Sequence, residues 1–207
     1  SAVYAEIRGL HEAAYVLGAF TLGSQLLALV RDRLLAHTFG AGADLDLYYT
    51  AFRIPDFLYV LFASTLSVYV LIPFVTRYAE EGGESRARML LSSIFSAFLI
   101  LYTVLAIVVI VCAPWLSTYL FPGFAADTER LTLLIRILML QPLLLGLSSL
   151  FGVITQYGHR FVLYAISPLL YNIGIICGIV ALYPLYGLPG IGWGVVFGAL
   201  LHLAVQL

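Results

Sequence analysis

The sequence predicts an all-α polytopic membrane protein, with about six helices crossing a bilayer. Two observations carry this. Hydrophobic residues make up 62% of the chain and charged residues 10%, with a mean hydropathy of +1.03. Soluble domains carry roughly 25% charged residues, so this chain lacks the polar surface to face water on all sides. The apolar residues are also gathered into long runs, and the short breaks between them carry glycine, proline and charge.

The opening residues 1–12 are polar and do not begin with Met. The first apolar run is followed by neither a small-residue cleavage site nor a soluble domain, so it reads as a span and not a leader. Spans are expected at 13–35, 47–74, 89–111, 131–154, 161–182 and 190–207. Each reaches the ~18 apolar residues that favour a crossing. In hydrocarbon every backbone N–H and C=O must be paired within the element, which makes such runs helices. The alternation over ~10 residues that marks barrel strands is absent. The breaks are Gly40-Ala41-Gly42, Glu80-Glu81-Gly82-Gly83-Glu84, Pro114 with Pro122-Gly123, Gly158, and Pro184 through Gly190. None is long enough for a soluble domain. The sequence stops at the sixth span without a polar exit, which predicts a longer parent protein.

All ten basic residues are arginine. Arg77, Arg86 and Arg88 flank the second break and His159-Arg160 the fourth, while 113–129 and the fifth break hold none. The positive-inside rule places the second and fourth breaks, and the N-terminus with Arg8, in the cytoplasm. Arg31 and Arg33 close the first span on the outer side, against that rule, which points to a role inside the protein.

The net charge of −1 argues against a nucleic-acid partner, which needs a basic surface. Cys112 and Cys177 stand alone in apolar runs and read as small hydrophobic residues. Enzyme signatures are weak. His11-Glu12 begins a zinc-protease pattern, but Tyr15 stands where the second ligand belongs. Asp44-Leu45-Asp46 is a short acidic pair, Ser148-Ser149 has no base at readable spacing, and His202 reads as packed or pore-lining. No catalytic residue, metal or cofactor is expected. Tyr48-Tyr49, Trp115, Tyr119, Tyr183 and Tyr186 lie near the breaks, where an interfacial belt belongs.

Ionisable groups inside spans cost several kcal/mol and are functional candidates by default. They are Arg31 and Asp32 at the end of the first span, Asp46, Arg53 and Asp56 on the second, and Arg136 on the fourth. Helical spacing puts Asp46 and Arg53 two turns apart on one face, with Asp56 beside Arg53. Ser24 and Arg31 share a face of the first span, and Gln25 and Asp32 share the neighbouring one. Pro55 removes the hydrogen bond to the Ala51 carbonyl and predicts a kink there. A kinked helix with a charged face suits the wall of a water-filled cavity. The competing reading is that these charges pair with one another and merely lock the helices together.

Residues 24–73 resemble the lipid II flippases of the MurJ/MviN family, within the superfamily of multidrug, oligosaccharidyl-lipid and polysaccharide exporters. The resemblance rests on Leu29-Val30-Arg31-Asp32, Phe39-Gly40-Ala41-Gly42, Asp46, Ala51-Phe52-Arg53-Ile54-Pro55-Asp56, Leu61-Phe62-Ala63 and Ile72-Pro73. Ala113-Pro114-Trp115, Pro122-Gly123-Phe124, Arg160-Phe161, Pro168, Asn172 and Trp193-Gly194 through Gln206 extend it. It implies a two-lobe exporter fold, with residues 1–207 as the N-terminal six-helix lobe. It implies movement of an undecaprenyl-pyrophosphate-linked peptidoglycan precursor across the bacterial inner membrane by alternating access. The implied partners are that lipid-linked substrate, membrane lipids and cell-wall synthesis proteins. The expected cavity residues are Arg31, Arg53, Ser24 and Gln25, and the expected gate residues are Asp32, Asp46 and Asp56. Gln25 and Tyr59-Val60 stand where the family carries cations, and Ser64 where it carries an acid. The alternatives are export of another lipid-linked glycan or of a small cation on the same fold, or a non-transporting scaffold for cell-wall assembly.

Overall fold

A computed structural model describes residues 10–65, 68–157 and 160–207, all helix or short turn with no strand among them. The order is α1 (Leu10–Phe39), α2 (Ala43–Ala51), α3 (Arg53–Thr65), α4 (Val68–Leu120), a 3-10 turn (Pro122–Asp127), α5 (Thr128–Leu138), α6 (Leu140–Tyr157), α7 (Phe161–Cys177), a π turn (Gly178–Leu182), α8 (Tyr183–Tyr186) and α9 (Leu188–Ala204). Four stretches are long and apolar enough to cross a membrane: Ala14–Phe39, Val70–Leu120, Pro122–Gln156 and Phe161–Tyr186. Leu188–Ala204 is a shorter apolar helix. The chain is therefore an all-α membrane protein.

Four of the discontinuities have a chemical cause in the sequence. α1 ends where the Gly40 N–H bonds the Ala36 carbonyl at 2.8 Å and Gly40 takes φ 61°, a left-handed cap that glycine adopts without a Cβ clash. α1 thus runs past the expected boundary at 35. Arg31 lies eight residues, or about 12 Å, inside the helix end. α2 and α3 part at Phe52, three residues before Pro55, which leaves the Ala51 carbonyl without its helical donor. α4 is two helices joined at Gly83, whose φ 77° and ψ 177° lie in a region essentially restricted to glycine. Around that joint Arg77 pairs with Glu81 at 2.7 Å and Arg86 stacks over the Tyr78 ring at 5.3 Å. α5 and α6 part at Met139, where Pro142 cannot bond the Leu138 carbonyl. The neighbouring Met139 carbonyl accepts from the buried Tyr102 hydroxyl at 2.6 Å.

Between membrane helices there is little hydrophobic driving force, so small residues and polar bridges decide the packing. α7 and α9 meet through glycine. A Cβ on Gly174 would collide with the backbone of Gly198, and one on Gly178 would lie 2.6 Å from the Gly194 Cα. Polar ties reinforce this core. Thr155 donates to Gln206 at 2.8 Å, and Gln206 donates to Ser167 at 2.8 Å, joining α6, the end of α9 and α7. Ser148 bonds His202 Nδ1 at 2.7 Å, and Thr132 donates to Ser117 at 3.0 Å. An aromatic cluster of Phe62, Phe98 and Tyr102 packs where Gly146 leaves room for the Phe98 ring.

Candidate functional site

A polar corner inside the apolar bundle lies where α1 meets α7. Arg31 sits on α1 and Asn172 on α7. Arg31 Nε and Nη2 each lie 2.9 Å from Asp32 Oδ1, and Nη1 donates to Asn172 Oδ1 at 2.9 Å. Asn172 is buried. Its Nδ2 donates to Ser24 Oγ at 3.2 Å and to the Pro168 carbonyl at 3.1 Å. The seven-residue spacing of Ser24 and Arg31 therefore sets both on one amide, a clamp that fixes the guanidinium. Hydrogen bonds to a charged group are worth about 1.5–3 kcal/mol net.

Beside the clamp is a cavity of about 270 Å³, lined by Arg31, Asp32, Leu35, Tyr48, Tyr49, Phe52, Asp56, Gln141, Tyr171 and Ile175. With Nε and Nη2 on Asp32 and Nη1 on Asn172, Arg31 still has two of its five N–H donors to offer, and it lines the cavity. Gln141 enters from the first turn of α6. The break at Met139 re-aims the chain there, and Gln141 Nε2 reaches the Tyr171 hydroxyl oxygen at 2.9 Å. Gln141 is buried, and its Oε1 has no hydrogen-bond partner among the described residues. Leaving such a group unpaired costs about 1–3 kcal/mol.

The structure gathers Ser24, Arg31, Asp32 and Asp56 at this corner. It does not join Asp46 or Arg53 to Arg31. Both are exposed, and no ion pair connects either of them to another described residue. The shared face expected for Asp46 and Arg53 ignores the break at Phe52, which puts one on α2 and the other at the start of α3. Asp56 forms no ion pair with Arg53, although it lines the cavity. Gln25 is exposed, off the cavity wall. The acid next to Asp46 behaves differently: Asp44 takes Arg130 at 2.7 Å, and Arg130 also takes Asp127 at 3.2 Å. Arg136 reaches a backbone group. Its Nε donates to the Ile110 carbonyl at 3.0 Å, the group that Pro114 leaves without a helical donor.

Four contributors were invisible to a search for charge. Tyr48 is buried against the cavity and is not part of an interfacial belt. Gln141, Tyr171 and the clamping role of Asn172 lie in runs that read as uniformly apolar. A lone amide in such a run is the signal that finds two of them, because an amide in hydrocarbon needs a partner just as a charge does.

The lipid II flippase MurJ family model matches residues 35–207, a range that includes Tyr48, Gln141 and Asn172 and begins just after Arg31. A lipid II flippase MurJ of Burkholderia cenocepacia is 29% identical, aligning with 96% of this chain and 39% of its own length. A probable lipid II flippase MurJ of Buchnera aphidicola is 33% identical over 90% of this chain and 38% of its own. One of Vibrio cholerae is 29% identical over 95% and 40%. The chain spans about two fifths of the length of these relatives. With a helical membrane fold, a fixed arginine on a polar cavity and a family match over most of its length, the chain belongs to the lipid II flippase MurJ family.

Proposed function

We propose that this chain is the N-terminal lobe of a flippase that moves lipid II across the bacterial inner membrane by alternating access. The observation that carries the proposal is Arg31, held by Asp32 and Asn172 on the wall of a 270 Å³ polar cavity inside an apolar bundle. A pyrophosphate with a sugar-peptide head cannot cross hydrocarbon unaided. A guanidinium offers it a planar, permanently charged fork. Asp32 and Asp56 on the same wall limit the net charge, so that an anion can bind and still leave. The polyprenyl tail stays in lipid while the head occupies the cavity between this lobe and a second one.

The experiment is complementation of a flippase-depleted bacterium with the full-length protein, alongside transport of fluorescent lipid II in vesicles. Growth and transport are the expected results. A protein that inserts normally but moves no lipid II overturns the proposal. One observation favours a second reading, export of a different lipid-linked glycan: among the described residues, Arg31 is the one cation lining the cavity. Transport of a lipid-linked glycan other than lipid II supports that reading.

The same proposal places the N-terminus and the Gly83 joint in the cytoplasm, from the arginines around that joint. In a protein whose exposed Cys112 and Cys177 have been replaced, an impermeant thiol reagent applied outside should label cysteine at position 124 and not at 82. The reverse pattern contradicts the orientation.

A further inference from the structure

We infer that Gln141 is a specificity-determining residue that hydrogen-bonds a hydroxyl or amide of the first sugar carried on the substrate's pyrophosphate. This rests on the proposed lipid-linked substrate and names the part of it that Gln141 reads.

Three observations lead there. First, the side-chain amide of Gln141 is buried and half satisfied. One polar atom is on Tyr171 at 2.9 Å, and the other has no partner. No other buried side-chain nitrogen or oxygen among the described residues is left in that condition. A native interior rarely leaves such a group without a reason. Second, Gln141 lines the same cavity as Arg31 and Asp56. The cavity therefore carries donors for an anion together with the Asp56 carboxylate, an acceptor that a phosphate cannot satisfy, and the Gln141 side chain. A ligand that answers all three presents an anionic oxygen next to a hydrogen-bond donor. A sugar joined to a phosphate does so. A hydroxyl both donates and accepts, so it answers the Gln141 amide in either orientation. Third, the size fits a fragment and not the whole head. Sites for complete drug-sized ligands run to roughly 300–1,000 Å³, and this lobe's part of the cavity, about 270 Å³, meets one portion of the head. Tyr48, Tyr49 and Tyr171 supply the flat, partly polar walls that suit such a ring.

The division of labour is then explicit. Arg31 holds the pyrophosphate, which every polyprenyl pyrophosphate shares. Gln141 distinguishes the sugar-bearing lipid from the bare carrier that remains after the sugar is removed. This gives the cavity a way to prefer cargo over spent carrier.

The test compares binding of lipid II and of undecaprenyl pyrophosphate to the full-length protein in nanodiscs, for the parent and for Gln141→Met, a replacement of similar length. The parent should bind lipid II more tightly than the bare pyrophosphate. Gln141→Met should lose about tenfold in affinity for lipid II, equivalent to about 1.4 kcal/mol, with binding of the bare pyrophosphate unchanged. The unchanged arm shows that the variant is folded and that Arg31 is still placed. Equal loss for both ligands makes Gln141 a packing residue and overturns the inference, as does unchanged binding of lipid II. A parent that binds neither ligand overturns the substrate proposal itself, and this inference with it.

Discussion

α7 and the π turn that continues it meet α9 backbone to backbone, through Gly174 against Gly198 and Gly178 against Gly194. α1 meets the same α7 through Ser24, Arg31 and Asn172. The first contact is made of dispersion between surfaces too close for any side chain, and it has one arrangement. The second adds hydrogen bonds to an apolar contact, with Gly23 facing Leu169 and Leu35 buried in the core, on a helix whose most apolar stretch contains no buried residue, against 61% for the stretch through α5 and α6. The polar clamp adds fixed hydrogen-bond geometry to that contact. The two joints differ in kind: one is a rigid contact between backbones, and the other includes a few exchangeable hydrogen bonds.

The comparison breaks most visibly at glycine. Gly174→Val should destabilise the full-length protein by about 3 kcal/mol or more, because the new side chain meets backbone that cannot move aside. Gly18→Ala on α1, with nothing within 4 Å of the added Cβ, should change stability by no more than about 1 kcal/mol, toward greater stability. Thermal unfolding in detergent reads both, and equal effects contradict the two-joint account. Next in size is Asn172→Leu. It removes the bonds to Ser24 and Arg31 and should cost about 2 kcal/mol, while loosening α1 in preference to α9. Hydrogen exchange in α1 rising with α9 unchanged is the expected signature. The smallest effect concerns a charge outside both joints. Arg136→Met should cost about 1 kcal/mol by leaving the Ile110 carbonyl unpaired. In a Pro114→Ala background the backbone N–H regained at that position takes over the carbonyl, and the cost should vanish. A full cost in both backgrounds shows that Arg136 has another task.

The membrane fold was legible because apolar runs and Gly/Pro breaks follow directly from the absence of water in a bilayer. Gly83 and the Pro55 kink belong to that legible part. The site was legible only where charge marked it. Ser24 and Arg31 meet on Asn172, as one helical face allows because α1 is unbroken between them, whereas Asp32 lines the cavity without Gln25. Asp46 and Arg53 do not come together, because helical phase cannot be carried through Phe52. The extension of α1 to Phe39 depends on the Gly40 cap, which the apolar pattern alone does not locate. Gln141, Tyr171 and Asn172 were hidden because one uncharged polar residue barely alters the hydropathy of a long run. Its meaning lies in its partner, 30 residues away for Gln141 and 141 away for Asn172 with Arg31.

The central claim is that Arg31 grips the pyrophosphate with a guanidinium already fixed by Asp32 and Asn172. Its most direct measurement is the affinity of the full-length protein for undecaprenyl pyrophosphate with Arg31 intact and with Arg31→Lys. Lysine keeps the charge and loses the planar fork. A phosphate-gripping arginine predicts a loss of about tenfold or more, since bonds to a charged group are worth about 1.5–3 kcal/mol, with membrane level and thermal stability close to the parent. Affinity unchanged in a normally folded Arg31→Lys protein contradicts the claim and makes Arg31 a brace between α1 and α7.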